Sequence, residues 1–252
     1  MRVVKLGGAS AGDDLAAVGR ALSAYRDPQV VVHGGGPQAS ALSERLGVPE
    51  RKVAGRRITD EATLEVILMA VGGAVHHRIL AGLAAGGLPV VGLAGPSVLR
   101  AHRRPPLLVE GESIDFGLVG EIDEVDVSLL RSLTGAGKVP VIACLAAGAE
   151  GTLYNINADT VAARLAVSLG AQELVQVTDS GGVRANRDLP ESLLDHLSAG
   201  EAQRMLGDGR ASGGMRPKLE AALAALAAGV PEVRIVGPPD LAAERGGTLL
   251  RP

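Results

Sequence analysis

Short β-branched runs alternate with longer Ala- and Leu-rich stretches along the whole chain. Residues 2–6, 29–33, 88–93, 139–143, 173–178 and 232–236 read as strands. Several are apolar at nearly every position, the pattern of strands covered on both faces in a parallel sheet. Between them the apolar period lengthens. In 14–25, Leu15, Val18, Leu22 and Tyr25 fall on one helical face, and 60–83, 158–169 and 218–228 also read as helices. This βαβα rhythm, with right-handed crossovers, predicts an α/β fold: a three-layer αβα sandwich around a mainly parallel open sheet. Residues 53–59 and 107–122 break the rhythm. They combine short extended runs with turns at Glu110-Gly111 and Phe116-Gly117, and predict β-hairpin excursions that form a substrate lid. No linker or repeat divides the chain, so 1–252 reads as a single domain.

Composition narrows the classes. Hydrophobic residues make up 46% against 21% charged with a net charge of −3, which excludes disorder as the main state. A single cysteine, Cys144, excludes a disulfide framework and a cysteine-rich zinc module, and fits a reducing cytoplasm. Tyr25, Phe116 and Tyr154 are the only aromatic residues and there is no Trp, so base-stacking platforms are missing. With no basic excess either, nucleic acid is not an expected partner. No uninterrupted apolar stretch approaches the ~20 residues of a membrane span, and MRVVKLGGAS carries no signal-peptide core. The expected location is cytoplasmic.

Glycine-rich turns follow successive strands. Lys5-Leu6-Gly7-Gly8 ends the first, and His33-Gly34-Gly35-Gly36-Pro37 ends the second and opens a helix. Asp179-Ser180-Gly181-Gly182 ends a later strand, and Gly213-Gly214-Met215 precedes the helix that holds Lys218. Ligands of open α/β sheets sit beyond the carboxyl ends of the strands. Glycines there let backbone N–H groups approach an anion, and helix N-termini add positive potential. Together these turns predict a large polyanionic ligand such as a nucleoside triphosphate.

Common motifs fit less well. Gly137-Lys138 resembles the end of a P-loop, but Ser132 stands where the first glycine belongs and Val139 replaces the magnesium-binding hydroxyl. Gly34-Gly35-Gly36-Pro37-Gln38-Ala39 fits the relaxed dinucleotide pattern, which alone is weak. Gly8-Ala9-Ser10-Ala11-Gly12 fits a nucleophile elbow, but the glycine run that could serve as its oxyanion loop comes after it instead of before.

Longer segments are more specific. Lys5-Leu6-Gly7-Gly8, His33-Gly34-Gly35-Gly36-Pro37-Gln38, Gly55-Arg56-Arg57-Ile58-Thr59-Asp60, Gly117-Leu118-Val119-Gly120-Glu121, Tyr154-Asn155-Ile156-Asn157-Ala158-Asp159 and Gly213-Gly214-Met215-Arg216-Pro217-Lys218 occur in that order. Taken together they resemble the amino acid kinase superfamily, and within it the N-acetylglutamate kinases, from residue 2 to about residue 236. The resemblance implies transfer of the γ-phosphoryl of ATP to the side-chain carboxylate of N-acetyl-L-glutamate. The product is an acyl phosphate, in the second step of arginine biosynthesis through acetylated intermediates. A carboxylate is already a nucleophile at pH 7, so such a step needs positioning and charge neutralisation more than a general base.

The resemblance also assigns roles. Lys5 and Lys218 contact the transferring phosphoryl and Asp159 orients them. Gly8, Gly35 and Gly36 offer backbone N–H groups, Gly8 on the nucleotide side and the others on the substrate side. Arg57 and Asn155 hold the α-carboxylate and amide of the substrate, and Arg56 is solvated. Asp179, Ser180, Gly181, Gly182, Val183 and Arg184, with Arg210, Ala211 and Ser212, line the nucleotide. Mg2+ arrives on the ATP phosphates without a protein metal cage. A lobe of about 1–170 takes the acyl amino acid and one of about 171–252 the nucleotide. The chain enters a strand at once, so a homodimer is expected, without the N-terminal helix or the strong arginine feedback of hexameric members.

Some positions depart from the pattern. His76-His77 stands where members often carry Asn-Lys, the loop Gly95-Pro96-Ser97-Val98-Leu99-Arg100 lacks the frequent Lys-Asp-Gly, and Ser180-Gly181 replaces Val-Pro. They leave room for a sibling kinase acting on an N-blocked α-aminoadipate, whose blocking group can be a small acidic carrier protein. Arg100, His102, Arg103 and Arg104 form a basic cluster that could steer such a partner. A nucleotide sensor without turnover is the alternative from another class.

Overall fold

A computed structural model describes residues 1–8, 14–109, 111–241, 243 and 246–252. In chain order its strands are β1 (Arg2–Leu6), β2 (Gln29–His33), β3 (Lys52–Val53), β4 (Arg56–Arg57), β5 (Val90–Leu93), β6 (Leu99–Arg103), β7 (Leu107–Val109), β8 (Glu112–Ile114), β9 (Gly120–Val125), β10 (Val139–Ala143), β11 (Leu145–Ala147), β12 (Leu153–Asn155), β13 (Glu173–Val177), β14 (His196–Ser198), β15 (Glu232–Val236) and β16 (Thr248–Arg251). The helices are α1 (Leu15–Ser23), α2 (Gly36–Leu46), α3 (Glu61–Ile67), α4 (His76–Ala85), α5 (Val127–Gly135), α6 (Ala158–Leu169), α7 (Ala199–Gly207) and α8 (Met215–Ala227). A π-helical stretch, Leu68–Val75, joins α3 and α4 into one continuous helix.

Eight strands form the central sheet in the order β14-β16-β15-β13-β1-β2-β10-β5. Every pair in it is parallel except β15 with β16. A second sheet, β12-β11-β6-β9, and the hairpins β3–β4 and β7–β8 stand outside it. The predicted α/β sandwich is thus the fold, with small corrections at its edges. The strand expected over 88–93 starts at Val90, and the helix expected from Lys218 starts at Met215, so Lys218 lies in its first turn. Most of the second sheet, α5, α7, β14 and β16 went unread: β6, β9, β14 and β16 are part-exposed with broken apolar runs, and the three buried residues of β11 follow β10 after a single residue and so do not stand out as a separate strand. The elbow-like segment 8–12, set aside above, lies almost wholly outside the described residues, as does Glu110 of the Glu110-Gly111 turn.

Alternation along the strands sets the two helix layers. Val3, Val30, Val32 and Leu174 pack with Val161, Leu165 and Leu219 of α6 and α8. Val4, Leu6, Val31, Val175 and Val177 pack with Val18 and Leu22 of α1 and Ile79 and Leu83 of α4. Each such buried aliphatic side chain contributes about 1.5–3 kcal/mol. The same alternation puts Lys5 on the α6 side of β1 and His33 on the α4 side of β2. Side-chain caps start the site-bearing helices: Asp60 Oδ1 accepts from Thr63 N at 2.8 Å, and Asn157 Oδ1 accepts from Asp159 N at 2.8 Å. The helix Glu61–Ala85 is long and apolar enough to cross a membrane by length and composition. In this fold it lies over the sheet, with Val66, Ile67, Val71, Val75, Ile79 and Leu83 buried.

Candidate active site

At the carboxyl end of β1, Lys5 Nζ meets Asp159 Oδ1 at 2.9 Å. Asp159 sits in the first turn of α6, where its negative charge suits the helix dipole. From α8, Lys218 Nζ reaches the same carboxylate at 3.3 and 3.4 Å. Three elements distant in sequence therefore deliver two ammonium groups to one buried carboxylate, and the cluster carries one net positive charge.

Electrostatics divides the two lysines. Burial opposes charge on Lys5, yet Asp159 outweighs it and holds the ammonium above its ordinary pKa. Burial also opposes charge on Asp159, and the two lysines outweigh it and keep the carboxyl below its usual range. Lys218 is pushed down to about 8 by burial and then by the charge of Lys5, against the pull of Asp159. Burial raises the nearby Cys144 thiol to about 11, so it stays protonated and unreactive at neutral pH.

Two clefts meet at this cluster. One, of about 260 Å³, is lined by Lys5, Gly8, Gly35, Gly36, Arg57, Asn155 and Asp159, among others. Its glycines are in close contact. A Cβ at Gly8 would come within 2.6 Å of Pro37 Cδ and 3.0 Å of Gly36 N, so only glycine lets the two loops touch. Arg57 is braced by Glu50, 2.5 Å from its Nη1, while its Nη2 donates to Ser40 Oγ at 3.1 Å. Asn155 Nδ2 donates to Thr59 Oγ1 at 3.1 Å. The strap 116–119 laces these parts together. Leu118 N donates to Thr59 O at 2.7 Å, and Asn155 N donates to Leu118 O at 3.0 Å.

The second cleft, of about 360 Å³, is lined by Ser180, Gly182, Val183, Arg184, Arg210, Ala211, Ser212 and Lys218, with Thr178, Arg187 and Met205 added. Arg184 Nε is buried and has no hydrogen-bond partner among the described residues. A larger cavity of about 890 Å³ lies at the opposite ends of β1, β13 and β15. Its arginines pair with its glutamates, Arg234 Nε with Glu173 Oε1 at 3.0 Å and Arg251 Nη2 with Glu232 Oε2 at 2.9 Å, and no lysine lines it among the described residues.

Comparison with known proteins fits this geometry. The profile described as "Amino acid kinase family" matches residues 1–237. The chain belongs to the amino acid kinase family. An acetylglutamate kinase of Sorangium cellulosum (strain So ce56) is 45% identical, over 99% of this chain and 94% of that protein. One from Methanopyrus kandleri is 41% identical over the full length of both. Among solved structures, smu.665 from Streptococcus mutans UA159 superposes with a TM-score of 0.83 at 26% identity, covering 99% of this chain and 98% of that one. N-acetylglutamate synthase from Neisseria gonorrhoeae, crystallised with coenzyme A and N-acetyl-glutamate, gives 0.84 at 28% identity, covering all of this chain and 59% of that chain.

In this amino acid kinase most of the residues singled out in the sequence fall into the two clefts. Asp179, which is exposed, and Gly181 do not line the second. Arg56 is not simply solvated: its Nη2 pairs with Glu220 Oε2 of α8 at 2.7 Å, tying the β3–β4 hairpin to the helix of Lys218. The basic cluster is largely occupied. Arg103 pairs with Asp115 at 2.8 Å, Arg104 with Glu121 at 2.9 Å and His102 with Asp123 at 2.7 Å. Sequence reasoning missed Glu50, Ser40 and the contact between His33 and His76, 43 residues apart.

Proposed function

We infer that this kinase transfers the γ-phosphoryl group of ATP to the side-chain carboxylate of N-acetyl-L-glutamate. The observation that carries the reading is Asp159, clamped between Lys5 in one cleft and Lys218 in the other. Identity above 40% to acetylglutamate kinases along almost the whole chain supports the substrate.

In this reading the lobe of about 1–170 binds the acyl amino acid, with Arg57 and Asn155 on its α-carboxylate and amide. Residues of about 171–252 bind the nucleotide along Ser180–Arg184 and Arg210–Ser212. A carboxylate oxygen attacks the γ-phosphorus, and the bond to the β,γ-bridging oxygen breaks with its electron pair leaving on ADP. No proton has to move. Lys5 and Lys218 offset the charge of two anions forced together, and the N–H groups of Gly8, Gly35 and Gly36 hold the equatorial oxygens. Among the described residues no three His, Cys, Asp or Glu side chains converge as metal ligands, so Mg2+ would be held mainly by phosphate oxygens and water. When bound it supplies further charge neutralisation. A cytoplasmic homodimer completes the proposal, and light scattering should give twice the chain mass.

Trapping the product with hydroxylamine tests the reading. Hydroxamate forms from MgATP and N-acetylglutamate, and more slowly or not at all from N-acetyl-α-aminoadipate. Turnover of only the second substrate, or of neither until an acidic carrier protein is added, contradicts it.

A further inference from the structure

His33 ends β2 fully buried, on the sheet face away from Lys5. Its Nδ1 lies 2.8 Å from Gly34 O, and its Nε2 lies 2.8 Å from Nδ1 of His76, which opens α4. A carbonyl oxygen only accepts, so His33 Nδ1 must carry the proton. Nε2 is then bare and accepts, which places the His76 proton on its own Nδ1. The two rings form a one-way chain that ends on a single backbone carbonyl.

That carbonyl has a partner across its own peptide bond. Gly34 C=O and Gly35 N–H share one planar trans unit and point in opposite directions. Fixing Gly34 O toward His33 therefore turns Gly35 N–H away from His33. Gly35 N lies 3.4 Å from the position a Gly8 Cβ would take. It has no acceptor among the described residues, and Gly34, Gly35 and Gly8 all line the acyl cleft. From behind, Val71 and Val75 of the π-helical stretch close on Gly35. The same stretch carries the helix on to His76.

We propose that His33, kept in its Nδ1–H tautomer by His76, is a positioning residue that aims the Gly35 N–H at the transferring phosphoryl group. It rests on the kinase reading above and touches no substrate itself. Both imidazoles stay neutral at pH 7, because burial lowers them, His33 to about 4. A second proton on His33 would set its Nε2–H against the His76 Nδ1–H and break the chain. The peptide unit is thus aimed before substrate arrives, which is how a backbone donor becomes useful to a transition state.

Two measurements test the proposal. Histidine 15N shifts of the unliganded wild-type protein at pH 7.5 should show His33 with a protonated Nδ1 and a bare Nε2. This readout needs no activity, so it stands apart from the substrate assignment, which fails by itself if wild type yields no hydroxamate from N-acetylglutamate. The second is kinetic. His76→Leu removes the donor to His33, and kcat should fall about tenfold or more with both KM values within twofold. His76→Asn returns an N–H donor near the Nδ1 position and should recover at least half of the wild-type kcat. An Nε2–H tautomer at His33, wild-type kcat in His76→Leu, or equal loss in the Leu and Asn variants would overturn the proposal. If His76→Leu fails to fold, the tautomer and the Asn variant decide it.

Discussion

Lys5 Nζ stands 2.9 Å from Asp159 Oδ1, with both side chains close to 5% exposed. Buried charges this close persist only when each is satisfied, and here one carboxylate serves two ammonium groups. Removing the shared carboxylate leaves Lys5 and Lys218 facing each other inside the protein.

Asp159→Asn should therefore lower stability by about 3–5 kcal/mol, the cost of stranding a buried charge. Turnover should fall with it. Urea unfolding measures the first and single-turnover assays the second. A variant as stable as wild type would mean that the lysines do not depend on Asp159.

Lys218→Met keeps most of the side-chain volume and removes the charge. It should cut kcat by about 10²–10³-fold, the typical loss for one preorganised group at a reacting oxyanion. MgADP affinity should change far less. A nucleotide sensor would show unchanged function, and calorimetry beside the hydroxamate assay separates the two cases.

The position of Lys218 gives the pH profile a sign. Its ammonium is the useful form, and its pKa in the free protein is lowered to about 8. The profile of kcat/KM should then decline as pH rises through about 8. Bound polyphosphate favours the charged lysine, so the corresponding limb of kcat lies at higher pH. A flat kcat/KM from pH 7 to 9.5 would argue against a charged Lys218 in the reaction.

Arg57→Ala should raise KM for N-acetylglutamate by roughly 10–150-fold, the ~1.5–3 kcal/mol of a hydrogen bond to a charged group. KM for ATP should hold. Equal changes in both constants would place Arg57 outside the acyl subsite.

Gly117 has φ +71°, and a Cβ there would collide with Thr59 O. Gly117→Ala should destabilise the protein by at least ~1 kcal/mol and loosen the strap that joins Thr59 to Asn155. Thermal unfolding, with KM for the acyl substrate, checks both effects. An unchanged Tm would show that the strap relaxes freely.

Six strands of the central sheet were legible because each is a short run of mostly β-branched and apolar residues, as with Val30–Val32, even where Lys5, Gln176 or Arg234 interrupts it. Lys5, Asp159 and Lys218 were legible only through the ordered motifs, since a strand-end lysine or a first-turn aspartate is unremarkable by itself. Arg56 was misread because its partner, Glu220, lies 164 residues away. His33 and His76 show the same limit. No spacing rule links residues 43 apart, and the sheet alternation and π-helical phase that join them exist only once the chain has folded.

Isotope tracing most directly tests direct transfer to the carboxylate. N-acetylglutamate labelled with 18O in its side-chain carboxylate is incubated with MgATP and hydroxylamine, and the released phosphate is read by 31P NMR. Attack by the carboxylate leaves 18O in the bridge to phosphorus, and hydroxylamine cleaves at carbon, so each phosphate should carry one 18O. Phosphate without label would mean that water, and not the carboxylate, receives the phosphoryl group.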